Sequence, residues 1–167
     1  MTTNDVEDMF VHQLERMYYV ENRLVDTLDE MASEANNDKL QRGFADHRDE
    51  TREQVERLER AFDALGHTPQ ESQSHVLDAL QKEHEEFAAQ SPDGELQDLF
   101  DMQAGMKTER FEITGYEGLL MLAKKIDVGD DVTDPLEDNL SEEKSTLREL
   151  EGLSKGSKIK SILGLSD

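Results

Sequence analysis

Six side chains along this chain have the types and positions needed to hold metal ions: Glu21, His47, Glu50, Glu109, Glu112 and Glu143. Each interrupts an apolar run at helical spacing. Glu21 follows Leu14, Met17 and Tyr18 and precedes Leu24 and Leu28. His47 and Glu50 separate Leu40 and Phe44 from Val55 and Leu58, Glu109 and Glu112 lie between Met106 and Ile113–Tyr116, and Glu143 lies between Leu140 and Leu147. Residues three or four apart share a helix face, so all six are expected to point inward. Carboxylates that converge in a water-poor interior repel one another and lose hydration, at a cost of several kcal/mol per ion. They must protonate, separate or be neutralised by cations. Two divalent metals bridged by carboxylates meet that demand. Oxygen-rich ligation with one imidazole suits iron or manganese, and zinc is also compatible with the ligand types.

Composition offers a competing account. The chain carries 40 Asp and Glu among 167 residues, so a glutamate on any stripe is unsurprising and, taken singly, reads as a solvated edge residue. His47 alone reads as a core or boundary histidine. Depth argues for the joint reading, because all six sit near the middle of their segments. The midpoints of antiparallel helices of similar length meet.

Five helical segments must position these residues: roughly 5–35, 38–65, 70–90, 95–127 and 132–152. Apolar residues recur at spacings of three and four in each. Segment one aligns Phe10, Leu14, Met17, Tyr18, Leu24, Leu28 and Met31; segment four aligns Leu99, Met102, Met106, Ile113, Tyr116, Leu120 and Ala123. The prolines fall at segment boundaries. Thr68-Pro69-Gln70-Glu71 reads as a cap, a first-turn proline and a capping-box acid, and Asp134-Pro135-Leu136-Glu137 repeats that logic. Gly66, Gly129 and Gly152 stand where helices should stop. Segments one and two form a hairpin through Asn36-Asn37, segments four and five form another, and segment three crosses between them. That is an all-α, ferritin-like antiparallel four-helix bundle with an additional crossover helix, over residues 1–153. Residues 154–167 read as a short C-terminal tail.

The formal net charge is -22. Such a surface repels phosphate backbones and anionic membranes, which argues against nucleic-acid and membrane partners. No run of about 18 apolar residues exists to span a bilayer. The acidic N-terminus lacks the pattern of a secretion signal, so the cytoplasm is the expected compartment. With no cysteine, thiolate metal sites and disulfides are excluded. A folded, periodic chain this acidic reads as salt-adapted, or halophilic, because concentrated salt screens self-repulsion.

The segments YYVENRL (18–24), FADHRDETREQVERLERAF (44–62), ERFEITGY (109–116) and LSEEKSTL (140–147) resemble those of the YciE/YciF-type ferritin-like stress proteins, over about residues 5–152. The resemblance implies the ferritin-like bundle, a homodimer and a di-iron-type carboxylate site at Glu21, His47, Glu50, Glu109, Glu112 and Glu143. It also implies, by analogy, ferroxidase-like or peroxide-consuming activity in a stress response. Two departures stand out. Di-iron bundles use Glu-x-x-His on two helices, whereas here the order is His47-x-x-Glu50 and the last segment offers Glu143-x-x-Thr146. Where related chains often carry His after the first Glu of segment four, this one has Arg110, which cannot ligate a metal and should point off the seam or pair with an acid. An alternative is a non-enzymatic structural stress dimer with an empty or structural site. Among the remaining polar residues, His84 is expected on a solvated face, His12, His67 and His75 without partner spacing, and Tyr18 and Tyr116 near the site in core packing, with hydrogen-bond donation to its carboxylates as the alternative.

Overall fold

The computed structural model describes residues 5–36, 38–90 and 94–154. Five helices follow in order: α1 (Val6–Glu34), α2 (Asp38–Ala64), α3 (His75–Ala88), α4 (Gly94–Ile126) and α5 (Asp130–Ser154). The proposed tail lies outside the described residues apart from Ser154, the last residue of α5, and the turn residues Asn37 and Ser91–Asp93 also lie outside.

The helix ends have local causes. Asp5 caps α1 by accepting from the Asp8 amide at 2.9 Å, and Glu7 and Asp8 in the first turn complement the positive end of the helix. At the end of α2, Gly66 adopts φ 72°. The His67 amide then bonds back to Phe62 O and the Gly66 amide to Asp63 O, at 2.9 and 3.0 Å, which is the Schellman closure. At the end of α4 the positive φ, 56°, falls on Asp127 rather than on Gly129, and Val128 N reaches back to Ala123 O. A short polar side chain tolerates that conformation better than most.

α1 packs against α2 and α4, and α5 packs against α4 and α2. α4 starts beside the α1–α2 turn, where the Asn36 amide donates to Asp98 Oδ1 at 3.2 Å. α2 and α4 therefore run the same way and occupy opposite corners. The segment between them must return along the bundle, and α3 does so, packed on α4 and tied to α1 by Gln81–Thr27 and Tyr19–Asp78 hydrogen bonds. This is the ferritin-like bundle with its crossover helix. Apolar residues fill it above and below its middle. Phe10, Leu14, Leu58, Phe62, Leu119 and Leu136 are buried on one side, and Leu28, Met31, Leu40, Phe44 and Leu77 on the other. Each fully buried large side chain contributes about 1.5–3 kcal/mol.

Several expectations are corrected. α3 begins at His75, not 70. The Ser72 amide bonds to Glu15 O at 3.1 Å, holding the preceding chain along α1, and Ser74 supplies the cap. Val76, in the first turn of α3, is exposed. α5 begins at Asp130 because Gly129 O accepts from Val132 and Thr133, so Pro135 lies inside the helix and not in its first turn. His84 is not on a solvated face. Its side chain is 16% exposed and Nε2 stands 2.7 Å from Oδ1 of the buried Asp101. His12 and His75 have acids one turn on, with Nδ1 3.4 Å from Glu15 and 3.9 Å from Asp78.

The Asp101 hydrogen bond raises the His84 pKa, against burial, which lowers it. A raised histidine pKa contributes stability that is present below the ordinary value and lost as pH rises through the shifted one. The His84 ring, followed by NMR, should therefore titrate above 6.5, and Asp101→Asn should return it to that value or below.

Candidate metal centre

All four bundle helices place polar side chains in the layer between the two apolar regions. Glu21 comes from α1, His47 from α2, Glu109 and Glu112 from α4 and Glu143 from α5. The four glutamates are essentially removed from solvent, at 0, 2, 1 and 0% exposure for Glu21, Glu109, Glu112 and Glu143. His47 is 13% exposed. Ligand-type atoms of His47, Glu109 and Glu143 lie within 4.8 Å of one another, as do those of Glu21, Glu112 and Glu143. Glu143 is common to both groups.

Glu50 does not join them. Its side chain is 55% exposed, and its Oε2 lies 3.7 Å from His47 Nδ1, beyond hydrogen-bond length. The reason is rotational. The inward track of α2 runs Leu40, Phe44, His47, Thr51, Gln54 and Leu58 at alternating steps of four and three, and Glu50 sits beside it. Arg110 points away from the layer and donates to Glu151 at 2.7 Å, as a residue off the seam should.

A set of polar residues absent from the expected site braces it. Tyr116 O–H donates to Glu21 Oε1. Asn139 donates to the Tyr116 hydroxyl oxygen at 2.8 Å and to the Gln54 backbone O at 3.3 Å. Gln54 donates to Glu143 Oε1. Arg57 donates to Asn139 Oδ1 at 3.2 Å and clasps both oxygens of Glu142 at 2.6 and 2.7 Å. Tyr116 thus bonds to a carboxylate in addition to packing in the core, while Tyr18 donates to Glu59, away from this layer. The spacing held a signal for these residues: Tyr116 is four past Glu112, Asn139 four before Glu143 and Gln54 seven past His47, each on the same helix face. Gly115 brings α4 close to α1 here, with Met17 Sδ 2.5 Å from where a Cβ would stand.

The bracing satisfies only part of the layer. One oxygen each of Glu21, Glu109, Glu112 and Glu143, together with His47 Nδ1 and Gln54 Oε1, is buried without a hydrogen-bond partner among the described residues. Orphaned buried acceptors are costly and uncommon. Burial drives the Glu21 pKa up to about 7, against the Tyr116 hydrogen bond. Burial and the charge of Glu143 raise that of Glu112, and burial and the charge of Glu109 raise that of Glu143. Burial would lower the His47 pKa, but the Glu109 hydrogen bond, 3.1 Å from Nε2, with a smaller contribution from Glu50, overcomes it and lifts His47 to about 10. Four acid oxygens and one imidazole, with lone pairs left over and one acid shared, fit a pair of divalent cations in ligand number and chemistry.

On the α2–α5 side, a polar cavity of about 390 Å³ bounded by Asp46, Glu50, Ser141, Glu142 and Glu149 reaches His47. It gives water and cations a route toward the layer.

Comparison with known proteins supports a family assignment. A family model described as "Domain of unknown function (DUF892)" matches residues 5–161. Protein YciF of Escherichia coli K12 is 29% identical over 147 residues, covering 87% of this chain and 88% of the relative. The crystal structure of the E. coli stress protein YciF superposes with a TM-score of 0.86 at 26% identity, over 94% of this chain and 98% of that one. YcfI of Rhodopseudomonas palustris, to which a structural role is ascribed, gives a TM-score of 0.85 at 31% identity, over 90% and 98%.

A carboxyl whose pKa is raised on folding adds stability below its unfolded value, and that stability disappears as pH climbs through the folded value. Metal-free protein should therefore unfold at lower urea concentration at pH 8 than at pH 5.5. Glu112→Gln, which removes one of the buried charges, should flatten that dependence, and an unchanged slope would contradict the assignment of the strain to this layer.

Proposed function

The chain belongs to the DUF892 family, and on that footing we propose that it is a ferritin-like protein holding a carboxylate-bridged pair of metal ions, iron before manganese or zinc, in the layer described. The observation that carries this reading is the sharing of Glu143 between two buried ligand groups whose outer oxygens lack partners. His47 and Glu109 would serve one ion, Glu21 and Glu112 the other, with Glu143 between them. Such a metal pair, when bound, supplies one-electron redox chemistry suited to Fe(II) oxidation or peroxide consumption.

The chain's own groups have defined tasks in this reading. Tyr116 and Gln54 each hold one oxygen of Glu21 and Glu143, leaving the other oxygen of each free to ligate. Asn139 fixes Tyr116 and is itself fixed by Arg57. His47 gives up its proton to bind, so uptake is favoured as pH rises. Glu50 stands outside the ligand set, on the solvent side of His47.

Protein purified without chelator should contain close to two metal ions per chain. Glu143→Ala should lose both, whereas Glu50→Ala should retain them. Metal at a hundred times its dissociation constant would stabilise the fold by about 2.7 kcal/mol. With stoichiometric iron, formation of the ferric product should be visible optically, and should fail in Glu143→Ala. Wild-type protein that takes up no metal would end this reading.

A second reading, a non-enzymatic structural stress protein, draws on the descriptions of YciF and YcfI and on the His47–Glu109 pair, which neutralises part of the layer without metal. Metal uptake without Fe(II) oxidation or peroxide consumption would favour it. Under either reading we take the protein to be a salt-adapted cytoplasmic homodimer that binds neither nucleic acid nor membrane. Among the described residues no helix is long and apolar enough to cross a membrane. With a formal net charge of -22, the melting temperature should rise steeply with added potassium chloride, and sedimentation in high salt should give the mass of two chains. Full stability at very low ionic strength would contradict the salt adaptation.

A further inference from the structure

A second cavity, of about 150 Å³, also reaches the acid layer and adjoins the polar one, sharing Gly43, His47, Thr146 and Glu149 with it. Its wall draws on all five helices and is predominantly apolar, built around Leu28, Met31, Leu40, Phe44, Leu80 and Leu150. Its inner end meets His47, Glu109 and Glu112. We propose that this chamber binds a small, uncharged, apolar molecule, up to about the size of a benzene ring, against the metal centre. The inference rests on the metal reading only for what that molecule would meet at the inner end.

Three observations select this occupant. Hydrated ions and polar solutes would have to shed water against hydrocarbon, and they already have the polar cavity on the α2–α5 side. Dry apolar cavities of about 150 Å³ accept xenon or benzene. Helices from both hairpins and the crossover helix line the space, which stays open to solvent at Lys39, Gly43 and Glu149, so an occupant can enter from water and its size is set by the volume. His84, on α3, also lines the chamber, with its ring held by Asp101.

Gly43 is the place to test it. The residue lines the chamber, and a Cβ added there would meet nothing within 4 Å. A larger side chain can occupy the space, and replacing a helical glycine favours folding. Ala104 lines the opposite wall from α4. Full-length protein treated with chelator should bind xenon, followed by the shift of its NMR resonance, and benzene, followed by calorimetry, in competition at one site. Gly43→Leu and Ala104→Leu should each weaken benzene binding at least tenfold while helical content stays unchanged. In metal-loaded protein, benzene should perturb the optical spectrum of the metal centre. Wild-type protein that binds neither probe, as it would if a second copy or the chain's own residues 155–167 filled the chamber, overturns the proposal. So does benzene affinity that is unchanged in both variants. Because the binding step is read without metal, loss of the metal reading and loss of the chamber give different results: the first leaves benzene binding intact, the second leaves metal uptake intact.

Discussion

Four glutamates brought into one solvent-free layer must be neutralised, and the rest of the fold is arranged around that requirement. Each carboxylate placed there loses its hydration and faces others of like charge. The apolar regions above and below supply the stabilisation that offsets this cost, and they also make the layer dry. Without them the same acids would sit at ordinary pKa in water. With them, the Glu21 pKa rises to about 7, that of Glu112 is pushed upward by burial and by Glu143, and that of Glu143 by burial and by Glu109.

Neutralisation by protons alone leaves the layer incomplete. The hydrogen bonds of Tyr116, Asn139, Gln54 and Arg57 run along one side of the acids and engage one oxygen each of Glu21 and Glu143. The other oxygens remain orphaned. An apolar core of equal volume would avoid this strain entirely. The bracing therefore makes physical sense as pre-organisation: it fixes where the free oxygens point before a cation arrives, so that little ordering remains to be done on binding.

The environment on the two sides of His47 differs in kind. One cavity is lined by acids and hydroxyls between α2 and α5, the other mainly by hydrocarbon from all five helices, and the two meet at His47.

The helices, their number, most of their ends and the bundle with its crossover were legible in the residues, because periodicity of three and four and the capping residues act locally. The convergence of acids at one depth was legible too, since antiparallel helices of like length align their middles. What the sequence could not decide is rotation. A helix position a third of a turn off the seam carries the same spacing signal within one turn, so Glu50 read as inward and Gln54 did not, and only the packing of α2 against α1 and α5 separates them. The same holds for His84, whose charged neighbours suggested solvent until the crossover helix was laid on α4 and brought Asp101 to it. Local chemistry wrote the elements; long-range packing decided which face of each element met water.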